Sequence, residues 1–345
     1  MINRIGAPVG AGLASALLFV VGFKWLATGE LTPGTGLAMP LAYLAPLPIM
    51  IAVLGWGARG GALACGVASA GVAVLVEWLW VDEAPLTLIL IDCQTALLFA
   101  LTIAMPGWAL ASFATLPGVR LPWRRGGGAP PEWMSVGAIV TLAAALAAAI
   151  SLGALAALIV VCGGYDQVLQ SFADAIEEAN KGSAFLPEGE TARQFALAFV
   201  RFAPAEIAGS TLLIFCVNLY GAARSTALSH RLARPWPDLP ISLVLPAPMA
   251  ALALASLTPA FLLPAPACQF AWIVVGALGA AFVLQGLAAL HALSRGLPMR
   301  PLLLGALYFC CLAGSNWTLP AVAIVGLIES FVSLRARAAA SKSKI

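Results

Sequence analysis

The sequence predicts an all-α fold, a polytopic transmembrane helical bundle of about ten spans, from three observations. Hydrophobic residues make up 61% and charged residues only 10%, against roughly 45 to 50% and about 25% in soluble domains. Apolar runs of about 20 residues recur, which is the helix length that crosses about 30 Å of hydrocarbon. Charged residues gather at the ends of these runs. The lipid bilayer is therefore the first partner that the sequence predicts.

The predicted spans fall into two groups, separated by a linker that is rich in Pro, Gly and Arg. We expect a four-span bundle over 1–115, a basic cytoplasmic linker over 116–132, a six-span bundle over 133–335 and a basic tail over 336–345. The last two spans are short, and they could instead form one broken or re-entrant unit around Asn316. The ten predicted spans are 8–27, 36–55, 59–80, 86–114, 133–162, 204–227, 241–264, 268–293, 300–315 and 318–335.

The distribution of charges predicts how the chain is oriented. Short cytoplasmic loops collect Lys and Arg. With the N-terminus inside, Arg4, Arg59, the linker, Arg231 and the basic tail all fall on the cytoplasmic side, whereas acidic turns fall outside. The sequence thus predicts a multi-pass protein of the cell membrane, of the bacterial inner-membrane type, with both termini in the cytoplasm.

One long segment, 164–203, lies outside the predicted spans and is acidic. Val168, Leu169, Phe172 and Ile176 are spaced as on one face of a helix, which predicts an amphipathic helix along the outer membrane surface. A second short helix from about Glu190 would lead into the sixth span. The segment is either a lid or a passive connector.

Ionisable groups at membrane depth are costly, so they are the first candidates for a ligand site. Asp92 lies inside the fourth predicted span, next to Gln94, and Glu77 and Lys24 lie near the outer ends of their spans. Glu206 flanks the outer start of the sixth span, where Pro204 suits a first helical turn. We predict a ligand site from these five residues. The structural alternatives are a hydrogen bond for Asp92, snorkelling for Lys24, an interfacial position for Glu77 and helix-dipole stabilisation for Glu206.

Two further patterns predict helix packing. Asn218 and Gln285 lie deep in their spans, where we expect them to hydrogen-bond across helices. Small residues recur every four positions in the third span, and we expect both stripes to face protein, either inside the chain or between subunits. The stripes are Gly57, Gly61, Cys65 and Ser69, and Ala62, Gly66 and Ala70.

Several function classes have no motif in this sequence. We find no phosphate-binding Gly-Lys-Ser/Thr loop, no H-E-x-x-H, no G-x-S-x-G and no basic, aromatic face for nucleic acid. The seven cysteines show no metal-binding spacing. We therefore predict no enzymatic activity, no cofactor, no metal site and no nucleic-acid partner.

Two stretches resemble a known family. Pro46-Leu47-Pro48 with the following glycine-rich turn is similar to the opening of the YybS-like bacterial membrane proteins, a family of unknown function. The ending, with Tyr308, Gly326-Leu327 and Leu334-Arg335-Ala336-Arg337, is similar too. Where that family tends to show acids and a tryptophan, this chain has Glu329, Phe331 and Ser333. The family in turn looks similar to the substrate-capture subunits of energy-coupling-factor transporters, which bind vitamins or metal ions in an outward-facing helical cavity.

Two hypotheses about function follow. The resemblance implies a transport or small-molecule-binding membrane subunit that borrows an ATPase from partner proteins. The alternative is a non-transporting scaffold that acts on partner proteins through its basic loop, Arg120 to Arg125, and its tail.

Overall fold

The computed structural model describes residues 2–28, 40–77, 93–117, 132–179 and 190–342. Nearly all of these residues are helical, and none of them forms a strand, which confirms the predicted all-α class. We number the helices in chain order. They are α1 (Ile2–Thr28), α2 (Pro46–Glu77), α3 (Cys93–Ala114), α4 (Val136–Cys162), α5 (Tyr165–Ala179), α6 (Glu190–Leu228), α7 (Leu239–Ser242), α8 (Ala247–Leu262), α9 (Ala267–Leu293), α10 (Arg300–Ala313), α11 (Ser315–Val332) and α12 (Leu334–Lys342).

Among the described residues, six helices are long and apolar enough to cross a membrane. They lie in α1, in residues 40–76, and in α3, α4, α6 and α9. The bent pair formed by α11 and α12 raises the number to seven, and α8 and α10 are shorter apolar helices. The protein is thus a multi-pass membrane protein by the length and composition of its helices.

The chain groups into two compact units, each assembled from two stretches of sequence. Unit 1 combines Met1–Ile139 with Ile214–Pro237, and unit 2 combines Val140–Leu213 with Asp238–Ile345. The unit boundary falls within α6, so that the first part of this helix belongs to unit 2 and the second part to unit 1. The predicted linker lies largely outside the described residues.

Small side chains allow α1 and α2 to pack closely in unit 1. A side chain on Gly12 would meet the Ala64 carbonyl, and Ala16 packs in the same buried cluster as Ala68 and Val72. The first predicted small-residue stripe contributes Gly61, which is buried. The residues of the second stripe, Ala62, Gly66 and Ala70, are exposed in this chain, so they do not pack inside the described part of the bundle, and the prediction that they face protein stays a prediction of a contact between subunits. They lie on the other side of α2 from the residues that contact α1.

A sharp break divides α2 at Gly57, between the second and third predicted spans. Gly57 has φ 83° and ψ 173°, a conformation that residues with a Cβ rarely adopt. The indole Nε1 of Trp108 donates a hydrogen bond to the Ala58 carbonyl at 2.8 Å. This side chain satisfies a carbonyl beside the break.

In unit 2, α9 is the central helix, and it packs against α8 and α11. Its closest crossing is with α11. A side chain on Gly286 would meet the Val322 carbonyl, and one on Gly326 would meet the Phe282 carbonyl. Only glycine permits so close an approach of two helix backbones.

The amphipathic helix predicted from residue 164 onward is present as α5. Val168 and Leu169 are buried as expected, whereas Phe172 is 42% exposed and does not belong to the buried face. The predicted short helix at Glu190 does not end before the sixth span. It continues without interruption into α6, so that Pro204 lies in the helix interior rather than in a first turn.

Candidate functional site

Two apolar segments, one in each unit, share a pattern of prolines and a local structure. In each, a proline is followed six residues later by the Pro-x-Pro pair: Pro40, Pro46 and Pro48 in unit 1, and Pro240, Pro246 and Pro248 in unit 2. Each segment forms one helical turn, at 40–43 or in α7, then leaves regular helical geometry and enters a longer helix, α2 or α8. Proline causes the interruption because it lacks an N–H group and disfavours helical geometry in the residue before it.

Breaking a helix in an apolar environment leaves backbone groups that need partners. In unit 1, two buried side chains supply them. Asn218 Nδ2 donates to the Tyr43 carbonyl at 2.8 Å and to the Ile214 carbonyl at 2.7 Å. Ser15 Oγ donates to the Ala45 carbonyl at 2.6 Å. We call these contacts the unit 1 polar network, and both of its side chains are neutral.

The corresponding contacts in unit 2 begin with Gln285, which is fully buried. Its Oε1 accepts a hydrogen bond from the Leu245 N–H at 2.5 Å. Its Nε2 donates to the Gly326 carbonyl at 2.6 Å and to the Ser330 hydroxyl at 2.8 Å. One amide therefore joins the broken segment to α11 through α9.

Arg335 completes the unit 2 polar network. Its Nε donates to Glu329 Oε1 at 2.8 Å, its Nη1 to the Pro240 carbonyl at 2.7 Å and its Nη2 to the Leu243 carbonyl at 2.9 Å. The side chains of Arg335 and Glu329 are only 10% and 5% exposed. The planar guanidinium suits this arrangement, since its donors point in fixed directions.

The two networks act at matching positions of the proline pattern. Tyr43 and Leu243 each stand three residues after the first proline, and both carbonyls accept a hydrogen bond from a side chain of a later helix. Ala45 and Leu245 stand two residues further on. The Ala45 carbonyl accepts a hydrogen bond from Ser15, and the Leu245 N–H donates one to Gln285. The equal spacing of prolines is a signal in the sequence that would have found both segments.

The structure confirms one prediction about these residues and adds two residues to it. Asn218 and Gln285 do hydrogen-bond across helices, as their deep positions predicted. The pairing of Glu329 with Arg335 was missed, because residues six apart do not share a face of a regular helix. The bend between α11 and α12 brings these two side chains together.

The five residues predicted to line a ligand site stay predictions. Asp92 lies outside the described residues, and the side chains of Glu77 and Lys24 do too. Gln94, at the start of α3, and Glu206, on α6, are exposed. Of the two described side chains, neither Gln94 nor Glu206 belongs to a polar network.

Two buried polar side chains lie at the end of unit 2 that contains α5. Among the described residues, the Tyr165 hydroxyl and Gln269 Oε1 are buried and have no hydrogen-bond partner. Burial raises the pKa of the Tyr165 phenol, which stays protonated at neutral pH. Arg193, at the start of α6, pairs with Asp174 at 2.7 Å and Glu177 at 3.5 Å.

An exposed ion pair joins two turns of unit 2. Arg295 donates to both carboxylate oxygens of Asp238, at 2.6 and 2.8 Å. These hydrogen bonds lower the pKa of Asp238 below its ordinary value and raise that of Arg295. The pair fixes the start of α7 against the turn that follows α9.

Searches for similar proteins return nothing: no family model, no curated protein and no solved structure matches this chain. In the described part of the chain, no group of three or more His, Cys, Asp or Glu side chains could hold a metal ion.

Proposed function

We propose that this chain is a membrane subunit that binds or transports a small molecule, and that the broken segment of each unit serves this function. The observation that carries the proposal is the pair of proline-interrupted apolar segments, one in each unit, with backbone groups satisfied by buried polar side chains. In secondary transporters, interrupted spans in corresponding positions of two halves form the substrate and ion sites, because only there is unwound backbone useful at membrane depth.

Ten spans with both ends in the cytoplasm remain our proposal for the topology. Dividing residues 40–76 at Gly57 makes the six long candidates seven, the bent pair α11–α12 adds an eighth, and α8 and α10 complete the ten. The charge distribution favours a bacterial inner membrane with the basic turns inside.

Contacts within each unit support placing the turns that they join on the same side of the membrane. In unit 1, the Arg231 guanidinium stacks 4.5 Å from the centre of the Trp56 ring, and Arg234 donates to the Ala114 carbonyl at 3.3 Å. The loop that carries both arginines thus touches the ends of α3 and of the first part of α2, and the proposal puts all three in the cytoplasm. In unit 2, Asp238 and Arg295 join two turns that it also puts there.

Cysteine labelling in intact cells tests the topology. We would replace the native cysteines, introduce single cysteines at Arg59 and Asp166, and add a membrane-impermeant maleimide. Both positions are exposed, which makes them a matched pair. We expect labelling at 166 in intact cells and at 59 only after the membrane is opened. The reverse result would contradict the orientation, and labelling of both in intact cells would contradict the number of spans between them.

The ligand would enter from the outer side, where we place Asp92, Gln94, Glu77, Lys24 and Glu206. The buried and unpartnered oxygens of Tyr165 and Gln269 support a ligand contact in unit 2, since such groups otherwise carry an unpaired desolvation cost. The resemblance to energy-coupling-factor subunits favours a vitamin or a metal ion as cargo, with an ATPase as partner.

Native mass spectrometry of the purified full-length protein, followed by thermal unfolding with a panel of water-soluble vitamins and divalent metal ions, tests binding. We expect one panel member to raise the unfolding temperature of the wild type and of Asp166→Ala, a surface control, but not of Asp92→Ala. Equal shifts in all three would remove Asp92 from the site. No bound mass and no shift, together with a protein partner that is lost when Arg120, Arg124 and Arg125 are neutralised, would favour the scaffold instead.

A further inference from the structure

The junction between α11 and α12 is a single residue in an unusual conformation. Ser333 has φ 51° and ψ 56°, the left-handed region, and the two helices meet there at 63°. A residue with a Cβ is disfavoured in this region, and glycine is the usual choice where a helix ends this way. The bend therefore needs compensation from contacts elsewhere.

Arg335 supplies that compensation through the contacts that the bend makes available. With Ser333 in the left-handed region, Arg335 reaches Glu329, one turn before the junction, and two carbonyls of the broken segment. Its Nη1 also lies 3.5 Å from the Ile241 carbonyl, so Arg335 meets four acceptors while its side chain is only 10% exposed.

The alternative conformation of the junction is also a regular one. If Ser333 adopted right-handed helical angles, α11 and α12 would merge into one helix over 315–342. Residues advance about 100° each around a helix, so Arg335 would then stand about 120° away from Glu329 and about 9 Å further along the axis. It would lose Glu329 and the carbonyls of Pro240 and Leu243 together. The bend and the contacts of Arg335 thus form or disappear as one event.

We propose that Ser333 is a hinge and Arg335 a latch, which together make the C-terminal helix α12 a two-state switch on the broken segment of unit 2. In the bent state Arg335 holds the carbonyls of the segment 239–246. In the straight state the segment loses the hydrogen bonds of Arg335, keeps that of Gln285 and is less restrained. A partner or ligand that favours either form of α12 would act on the segment from the end of the chain. The switch goes beyond the proposed function and does not depend on it.

Hydrogen exchange of the purified full-length protein in lipid nanodiscs tests the latch. The amides of 239–246 exchange in proportion to the time that the segment spends released. We expect Arg335→Gln to speed their exchange by more than about tenfold, as loss of a charged hydrogen-bond donor predicts. Arg337→Gln is the matched control, because Arg337 is an exposed residue of the same helix. It should leave the exchange unchanged, and peptides over 40–48 should not respond to either variant.

Ser333→Gly tests the hinge in the opposite direction. Glycine adopts the left-handed region freely, so the population of the bent state increases. Hydrogen exchange over 239–246 should therefore slow by about fivefold. If Arg335→Gln does not yield folded protein, this variant decides alone. Unchanged or faster exchange in Ser333→Gly would overturn the proposal, and so would equal responses to Arg335→Gln and Arg337→Gln.

Spin-label distances give an independent measurement of the bend. Labels at Ile324 on α11 and Ala339 on α12, both exposed, are introduced after replacement of the native cysteines. We expect one short distance in Ser333→Gly and an added longer distance in Arg335→Gln, since straightening separates the labels. A single distance that is the same in both variants would show that α12 does not move.

Discussion

The broken segments of the two units solve the same problem with different chemistry. Both follow the same spacing of prolines, and both leave carbonyls that a bilayer would not satisfy. Unit 1 uses the hydroxyl of Ser15 and the amide of Asn218, which lie on regular helices. Unit 2 uses Gln285 on a regular helix and Arg335 beyond a bend. Only the second network has a part whose position depends on the conformation of one residue.

The buried ion pair of unit 2 indicates a network that selects one conformation of the segment, rather than one that only adds stability. A neutral side chain satisfies a carbonyl at small cost, whereas a buried ion pair must first lose its hydration. Replacing such a pair with apolar residues is often neutral or stabilising, so Glu329 and Arg335 are not explained by stability alone. Their presence in unit 2 suits a segment that must be held in one state and released in another.

The largest expected effect on stability comes from a change at Glu329, in the unit 2 polar network. Glu329→Ala leaves the buried guanidinium of Arg335 without its counter-charge, and we expect it to destabilise the protein by about 3 to 5 kcal/mol in detergent unfolding experiments. The double variant Glu329→Ala with Arg335→Ala is the control, because it removes both charges. It should be less destabilised than the sum of the two single variants. Additive losses would show that the two side chains do not interact.

Gln285→Leu should have the next largest effect. It leaves the Leu245 N–H unsatisfied, which costs about 1 to 3 kcal/mol for a buried group, and it also removes the hydrogen bonds that Gln285 adds to the Gly326 carbonyl and the Ser330 hydroxyl. We expect a total loss of about 2 to 4 kcal/mol, measured by thermal or denaturant unfolding. The exposed Gln170 on α5 offers a matched control, and Gln170→Leu should change stability little. A similar loss in both variants would point to an effect of added hydrophobicity.

Ser15→Ala measures the network of unit 1. The change leaves the Ala45 carbonyl, which is fully buried, without the serine hydroxyl, and we expect a loss of about 1 to 2 kcal/mol. Ser225→Ala removes an exposed hydroxyl that bonds only within its own helix, to the Gly221 carbonyl, and should be nearly neutral. If Ser15→Ala were as neutral as Ser225→Ala, the hydroxyl would not hold the broken segment.

The smallest effect concerns Asp238 and its dependence on pH. The hydrogen bonds from Arg295 lower the pKa of the Asp238 carboxyl below its ordinary value of 3.8. A lowered folded-state pKa contributes stability that is fully present above the ordinary value of 3.8 and is lost as the pH falls from there through the lowered pKa. We expect the wild type to exceed Asp238→Asn slightly in unfolding temperature at about pH 6 and the difference to shrink as the pH falls below 3.8. A difference that is constant over this range would exclude the carboxylate charge as its cause.

The class of fold could be predicted from the sequence more completely than the candidate site. Periodicity and hydropathy predicted membrane helices, the amphipathic α5 and the turn near Gly57, because each depends on a local pattern. Asn218 and Gln285 could be recognised as buried amides, but not their partners in the broken segments, which are the Tyr43 carbonyl and the Leu245 N–H. Glu329 and Arg335 could not be paired, because the pairing depends on the left-handed conformation of Ser333. The ligand-site prediction around Asp92 is untested by the structure.

The passage of α6 from one unit to the other has a consequence for biosynthesis. The ribosome completes residues 140–213, which belong to unit 2, before it makes 214–237, which belong to unit 1. The Tyr43 carbonyl therefore waits for Asn218, about 175 residues of synthesis later, while the intervening helices are already entering the bilayer. A fragment that ends before α6 would never gain that partner. Such a fragment would keep an unsatisfied carbonyl at the helix break, which membrane quality control could recognise as misfolded. The chain should therefore be expressed and studied with both units present.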